Sequence, residues 1–194
     1  NVVGTESVLA AFRSQYCEAL WFASTGDVYE PSESPLAESS TIGPYNIYGN
    51  SKLMGEHLVK LASIRQPERR FVVGRLFNLY GPRETNPHII PEVLKQLKEN
   101  PDGTLRMGNL WPRRDLVPVQ DAARAAFEMI EKAPKGVLTA NVATGNPVTM
   151  EDLIKTIGEL RGQAVQVETD PERVRAVERP HLEAEVSRLR GQGF

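Results

Sequence analysis

Cysteine is nearly absent: Cys17 stands alone in 194 residues, which excludes an intrachain disulfide and suits a reducing compartment such as the cytoplasm. Histidine is scarce too, and His57, His88 and His181 are scattered, so no metal site is expected. No apolar stretch approaches the roughly 20 residues that a membrane-spanning helix needs, and no membrane partner is expected. The 23 basic and 25 acidic side chains are mixed, without a basic block or an aromatic-basic alternation, which argues against nucleic acid as a partner. Internal repeats and low-complexity tracts are missing. So are an initiator Met and anything like a signal peptide: Asn1 opens directly into helical sequence, and the chain reads as part of a longer protein.

What is present reads as alternating helix and strand. Val8, Ala11 and Phe12 keep helical spacing, and Ala19-Leu20-Trp21-Phe22-Ala23 is a short continuous apolar run of the kind that buried parallel strands show. The Ser-, Pro-, Glu- and Gly-rich segment from Thr25 to Gly43 is expected as an exposed loop. A long helix from about Pro44 to Arg65 follows, with Ile47, Met54, Leu58, Leu61 and Ala62 as its core stripe. Arg70 to Phe77 is a second buried strand, ended by the turn Tyr80-Gly81-Pro82-Arg83. Pro91 opens a helix through Glu99, and Asn100-Pro101-Asp102-Gly103 breaks it. A helix through Ala123, Ala126, Phe127 and Ile130 precedes a strand over Val137 to Val142. Thr149 with Asp152 makes a capping-box-like start for the helix carrying Leu153, Ile154, Ile157 and Leu160. Ala164 to Val167 reads as a short edge strand, and Glu183 to Leu189 as a last helix.

Tyr48 and Lys52 stand four residues apart in that long helix, which places a phenol beside an ammonium. A free tyrosine, with a pKa of about 10, is a poor base near neutrality, and a nearby cation stabilises its phenolate. Alone, this spacing more often means only a solvated helix surface.

Further motifs decide between the two. Asn1-Val2-Val3-Gly4-Thr5, Ser24-Thr25-Gly26-Asp27-Val28-Tyr29, the YxxxK of Tyr48 to Lys52, Arg75-Leu76-Phe77-Asn78-Leu79-Tyr80-Gly81-Pro82-Arg83 and Arg114-Asp115-Leu116-Val117-Pro118-Val119-Gln120-Asp121-Ala122-Ala123-Arg124-Ala125 occur in one order. With them the chain resembles the extended branch of the short-chain dehydrogenase/reductase family, the nucleotide-sugar epimerases and dehydratases. The resemblance implies an α/β fold, the C-terminal half of a doubly wound, Rossmann-type parallel sheet with a small α/β substrate-binding lobe. Residues 1–80 and 110–144 would form the partial Rossmann-type domain, and 81–109 with 145–194 the lobe.

The resemblance also implies roles. Tyr48 would take a proton from a sugar hydroxyl while hydride leaves the same carbon for a nicotinamide. Lys52 would lower the Tyr48 pKa and hold the nicotinamide ribose, Thr25 would bond the reacting oxygen, and Ser24 would belong to the cofactor site. Asn78, Arg83, Arg114 and Arg179 would bind the substrate, Asn78, Arg114 and Arg179 through its diphosphate. The cofactor would be NAD, with NADP as the alternative. A homodimer would form through helices 4–15 and 44–65.

Departures from the family pattern bear on the reaction. Where 4,6-dehydratases carry an Asp-Glu pair after the Thr, this chain has Gly26 and Asp27. One acid is lost, and Asp27, counted with Thr25, Tyr48 and Lys52 as a catalytic residue, is a methylene shorter than the glutamate whose place it takes. Transient oxidation at C4 of a nucleotide-activated hexose by an epimerase is therefore favoured, with a 4,6-dehydratase or 4-keto reductase as alternatives. No GxxGxxG occurs in the chain, so the cofactor pyrophosphate cradle would lie outside it, and a parallel strand edge near Ala19 to Ala23 would stand unpaired. An inactive truncated fragment, or a dinucleotide-sensing scaffold, is the reading from another class.

Overall fold

A computed structural model describes residues 1–12, 17–174, 179–191 and 193. Gln15, at the end of the first expected helix, and Phe194, at the end of the expected lobe, lie outside them. The elements in chain order are α1 (Val2–Phe12), β1 (Ala19–Thr25), α2 (Ile47–Arg65), β2 (Arg70–Leu76), β3 (Asn78–Tyr80), α3 (Ile89–Glu99), β4 (Thr104–Met107), β5 (Arg113–Arg114), β6 (Leu116–Pro118), α4 (Val119–Lys132), β7 (Gly136–Val142), β8 (Val148–Thr149), α5 (Met150–Arg161), β9 (Gln166–Thr169), β10 (His181–Leu182) and α6 (Ser187–Gly191).

The apolar runs become a parallel sheet in the order β1-β2-β7, with Ala19 opposite Arg70 and Arg70 opposite Gly136. One face packs Leu20, Phe71 and Val73 against Leu9 and Phe12 of α1 and Val59 of α2. The other packs Trp21, Val72, Ala140 and Val142 against Ala122, Ala125 and Met129 of α4. Burial on both faces is why these strands read as continuous apolar runs rather than as alternation. This is the α/β arrangement of half a doubly wound sheet, and among the described residues β1 has a strand partner on its β2 side alone. A separate cluster joins Val93 and Leu97 of α3, Leu105 and Met107 of β4, and Ile154 and Ile157 of α5. There β4 pairs in parallel with β9. No helix among the described residues is long and apolar enough to cross a membrane.

Three expectations are corrected. The α2 core stripe is turned outward at Ile47, Met54 and Leu61, with Ile47 89% exposed. The buried positions are instead Gly49, Gly55, Glu56, Val59 and Ser63, while Leu58 and Ala62 are part-buried. Small residues let the helix approach the sheet closely, and a buried ion pair holds Glu56 there. The segment from Thr25 to Gly43 is not simply an exposed loop, because Val28, Tyr29 and Leu36 are core residues. The Tyr29 hydroxyl donates to Asn141 Oδ1 at 2.6 Å, and Leu36 forms a bridge with Ala184. The last helix begins at Ser187 rather than Glu183, since Glu183 to Glu185 run extended against Leu36, with Leu36 N–H donating to Glu183 O and Glu185 N–H to Leu36 O.

Candidate functional site

The carboxyl ends of β1 and β2 face the first turn of α2, the crevice in which parallel α/β sheets bind ligands. A cavity of about 720 Å³ opens there, and Thr25, Asp27, Tyr48, Lys52, Asn78 and Arg83 line it. Thr25 ends β1, and its hydroxyl accepts from the Asp27 N–H at 3.2 Å, turning the chain into a short 3-10 segment. Asn46 caps α2 by accepting from the Gly49 N–H at 2.6 Å, an extended Ncap that fixes where the helix starts. Tyr48 and Lys52 then fall one turn apart. The Lys52 ammonium donates to Ala23 O at 2.8 Å and lies 5.8 Å from the Tyr48 ring centroid.

Burial pushes the Tyr48 phenol above its usual value, the Thr25 hydroxyl opposes this through a hydrogen bond, and the Asp27 charge adds to the rise. Burial also lowers the Lys52 ammonium. Both shifts favour the uncharged forms, and the downward tuning of Tyr48 expected from Lys52 does not prevail in this structure. The phenol therefore stays protonated near neutrality, poised to donate a proton.

The remaining sequence-derived residues divide. Ser24 borders the same cavity, but it is buried and its hydroxyl donates to Glu56. Asn78 lies on the boundary of a second cavity of about 520 Å³, which Arg114 and Arg173 also line. Arg114 sits in β5, its guanidinium donating to Arg113 O at 2.9 Å, and β5 pairs in parallel with β10 two residues beyond Arg179. Arg179 is deeply buried and borders neither cavity; its Nη1 reaches Asp27 Oδ1 at 3.2 Å and Gly26 O at 3.3 Å. Its pKa is lowered, first by burial, with the Asp27 charge opposing. Arg83 is exposed and holds a φ of 66°, the left-handed region that non-glycine residues enter at a cost of about 1 kcal/mol or more. Arg83→Gly should leave the melting temperature unchanged or slightly raised; a large loss of stability would overturn the view of this turn as strained.

Sequence reading missed three supports. Glu56, four residues past Lys52, accepts from Arg75 at 3.0 and 2.7 Å as well as from Ser24. Asn46 donates through its side-chain Nδ2 to Asp27 Oδ2 at 3.2 Å. Asp115, fully buried, accepts from the Thr144 N–H, the Thr144 hydroxyl and the Gly145 N–H, which locks the turn after β7 beside Arg114. Four-residue spacing from Lys52 could have pointed to Glu56, whereas no local pattern announces the others. Gly49 is a further point of contact, since a β-carbon there would lie 2.3 Å from Asp27 O. Gly49→Ala should force α2 away from the Thr25 turn, destabilising by about 1–3 kcal/mol, a change readable by thermal denaturation.

A family model described as the NAD dependent epimerase/dehydratase family matches residues 1–143. The chain is similar to the GDP-6-deoxy-D-mannose reductase of Pseudomonas aeruginosa, at 27% identity over 97% of this chain and 64% of the relative. It is similar to UDP-glucose 4-epimerase 3 of Oryza sativa subsp. japonica, at 27% identity over 89% of this chain and 52% of the relative. Among solved structures, the UDP-N-acetylglucosamine 4-epimerase from Methanobrevibacter ruminantium M1, in complex with UDP-N-acetylmuramic acid, superposes with a TM-score of 0.86 at 25% identity. That match covers 100% of this chain and 62% of the other. The chain thus spans between about half and two thirds of the length of these relatives.

Proposed function

Because the chain belongs to the NAD dependent epimerase/dehydratase family, we propose that it carries the catalytic and substrate-binding residues of an enzyme that moves hydride at C4 of a nucleotide-activated hexose, an epimerase in the first instance. The observation that carries this reading is the convergence of Thr25, Tyr48 and Lys52 on one cavity that meets a second at Asn78. Each cavity lies within the roughly 300–1,000 Å³ common for small-molecule sites, and a two-part ligand suits the pair. The sugar would lie by Tyr48, with the nucleotide toward Asn78 and Arg114, and residues 81–109 and 145–194 acting as the substrate lobe.

The residues present also suit the nicotinamide end of a dinucleotide. An ammonium has three N–H donors, Ala23 takes one from Lys52, and the others suit vicinal ribose hydroxyls. Bound there, NAD would supply the hydride acceptor. Tyr48 would hold and release the proton of the sugar oxygen, Thr25 would orient that oxygen, and Lys52 would favour the phenolate when the proton moves. Gly26 argues against the dehydratase alternative: its surroundings are apolar, since a β-carbon would lie 3.1 Å from Leu182 and 3.3 Å from Phe77. Asp27 is held by Arg179 and Asn46, which leaves it poorly placed as a free base.

A second reading, a 4-keto-sugar reductase, is supported by the similarity to the GDP-6-deoxy-D-mannose reductase of Pseudomonas aeruginosa; there Tyr48 would donate a proton to the carbonyl oxygen. Incubating the full-length protein with a panel of nucleotide sugars, while following products and nicotinamide absorbance, separates the two. Epimerisation leaves no net absorbance change, reduction consumes reduced cofactor, and turnover of no member of the panel would refute both. A homodimer through α1 and α2 completes the proposal, because these helices expose Val3, Val8, Met54, Leu61 and Ile64. Leu61→Glu should convert the dimer to a monomer in light scattering, and an unchanged mass would disprove this interface.

A further inference from the structure

We infer that Asp27 is a positioning residue which joins the Arg179 guanidinium to the N-terminus of the helix that carries Tyr48, so that anion binding and proton transfer share one fixed frame. The inference rests on the reading above and adds to it Arg179, which borders neither cavity but lies behind Asp27 of the first, as a further group that would meet the diphosphate of the substrate. The two carboxylate oxygens of Asp27 face different elements. Oδ1 pairs with Arg179 Nη1 at 3.2 Å, and Oδ2 accepts from Asn46 Nδ2 at 3.2 Å. Asn46 is the Ncap of α2, bonded through its own Oδ1 to the Gly49 N–H, one residue past Tyr48. An unbroken line of polar contacts therefore runs from Arg179, 152 residues from Asp27 in sequence, to the turn that places the phenol.

Arg179 needs such a holder. Its side chain is 2% exposed, and the Arg114 charge disfavours a second cation nearby. Nε donates to His181 O at 3.2 Å and Nη1 to Asp27 and Gly26, while Nη2 is buried without a hydrogen-bond partner among the described residues. A buried guanidinium donor without an acceptor is unfavourable unless an anionic oxygen meets it. Asp27 thus fixes one edge of the fork and leaves the other for a ligand. A role as general base at C5 fits poorly with a carboxylate whose two oxygens are both engaged.

The test is calorimetric titration of the full-length protein and its variants with UDP, GDP, dTDP, CDP, ADP and inorganic pyrophosphate, with thermal melts to confirm folding. Asp27→Asn should weaken binding of the preferred nucleoside diphosphate about tenfold or more, and Asp27→Glu should recover part of it. Arg179→Gln should weaken binding at least as much, and Asp27→Asn combined with Arg179→Gln should lose no more than Arg179→Gln alone. Nucleotide affinity unchanged in Asp27→Asn, or additive losses in the double variant, would overturn the inference while leaving the substrate reading standing. Failure of the unmodified protein to bind any of these ligands would overturn both.

Discussion

Replacing Tyr48 by Phe in the full-length protein is expected to lower turnover about 10²–10⁴-fold, the usual contribution of a positioned general acid or base, while leaving nucleotide affinity nearly unchanged. The substitution removes only the phenolic oxygen. The ring stays against a part-buried wall, and the elements that set its position, the Asn46 cap and the Lys52 contact with Ala23, are untouched. Lys52→Met should also slow the reaction, with a characteristic pH signature. A cation near a phenol favours its phenolate, so removing the Lys52 ammonium, 5.8 Å from the Tyr48 ring centroid, is expected to raise the Tyr48 pKa. The tyrosine-dependent limb of the rate profile then moves to higher pH whether Tyr48 acts as base or as acid. A Tyr48→Phe enzyme with undiminished turnover, or a Lys52→Met limb displaced to lower pH, would remove the basis for assigning proton transfer to this pair.

The largest effect on stability is expected from Glu56→Ala. Glu56 and Arg75 are each 8% exposed at the side chain and bonded through both Arg75 Nε and Nη2, and the guanidinium also stacks 4.7 Å from the Tyr29 ring centroid. Removing the acid leaves a cation buried in the sheet, which costs about 3–5 kcal/mol. At roughly 2–4 °C per kcal/mol for a chain of this size, the melting temperature should fall by roughly 10 °C. A double replacement, Glu56→Leu with Arg75→Met, should recover much of that loss, because the penalty comes from the stranded charge rather than from the missing bond. A Glu56→Ala melt within about 2 °C of the parent, a shift of under about 1 kcal/mol, would show that Arg75 finds another partner or reaches water.

Much of this was open to reading from sequence where local rules act alone. The Thr149 cap of α5 holds as a hydroxyl accepting from the Asp152 N–H at 3.0 Å, because a capping box is complete within four residues. The sheet strands were legible because burial on both faces leaves an unbroken apolar run. The face of α2 was misread because the rule that apolar side chains point inward fails where a buried ion pair and glycines set the contact, leaving Ile47 and Met54 outside. The short strands β5, β8 and β10 exist through pairing with one another, so no window of sequence contains their cause. Within the site, the residues that bear chemistry were visible as motifs, whereas the ties that hold them, from Asp27 to Arg179 and from Asp115 to Thr144, span long stretches of chain.

Tyr48, Lys52 and Glu56 follow one another at steps of four along a helix that completes a turn in 3.6 residues, so each step advances about 40° beyond a full turn. The three side chains consequently fan around the axis: Tyr48 is half exposed, Lys52 is intermediate, and Glu56 is sealed against the sheet. The helix works as a keyed shaft whose anchor midway along it sets the angle of the chemistry near its N-terminus. Inserting a single residue between Lys52 and Glu56 would turn the proton-handling pair by about 100° relative to its anchor, and either the ion pair or the cavity wall would have to give way.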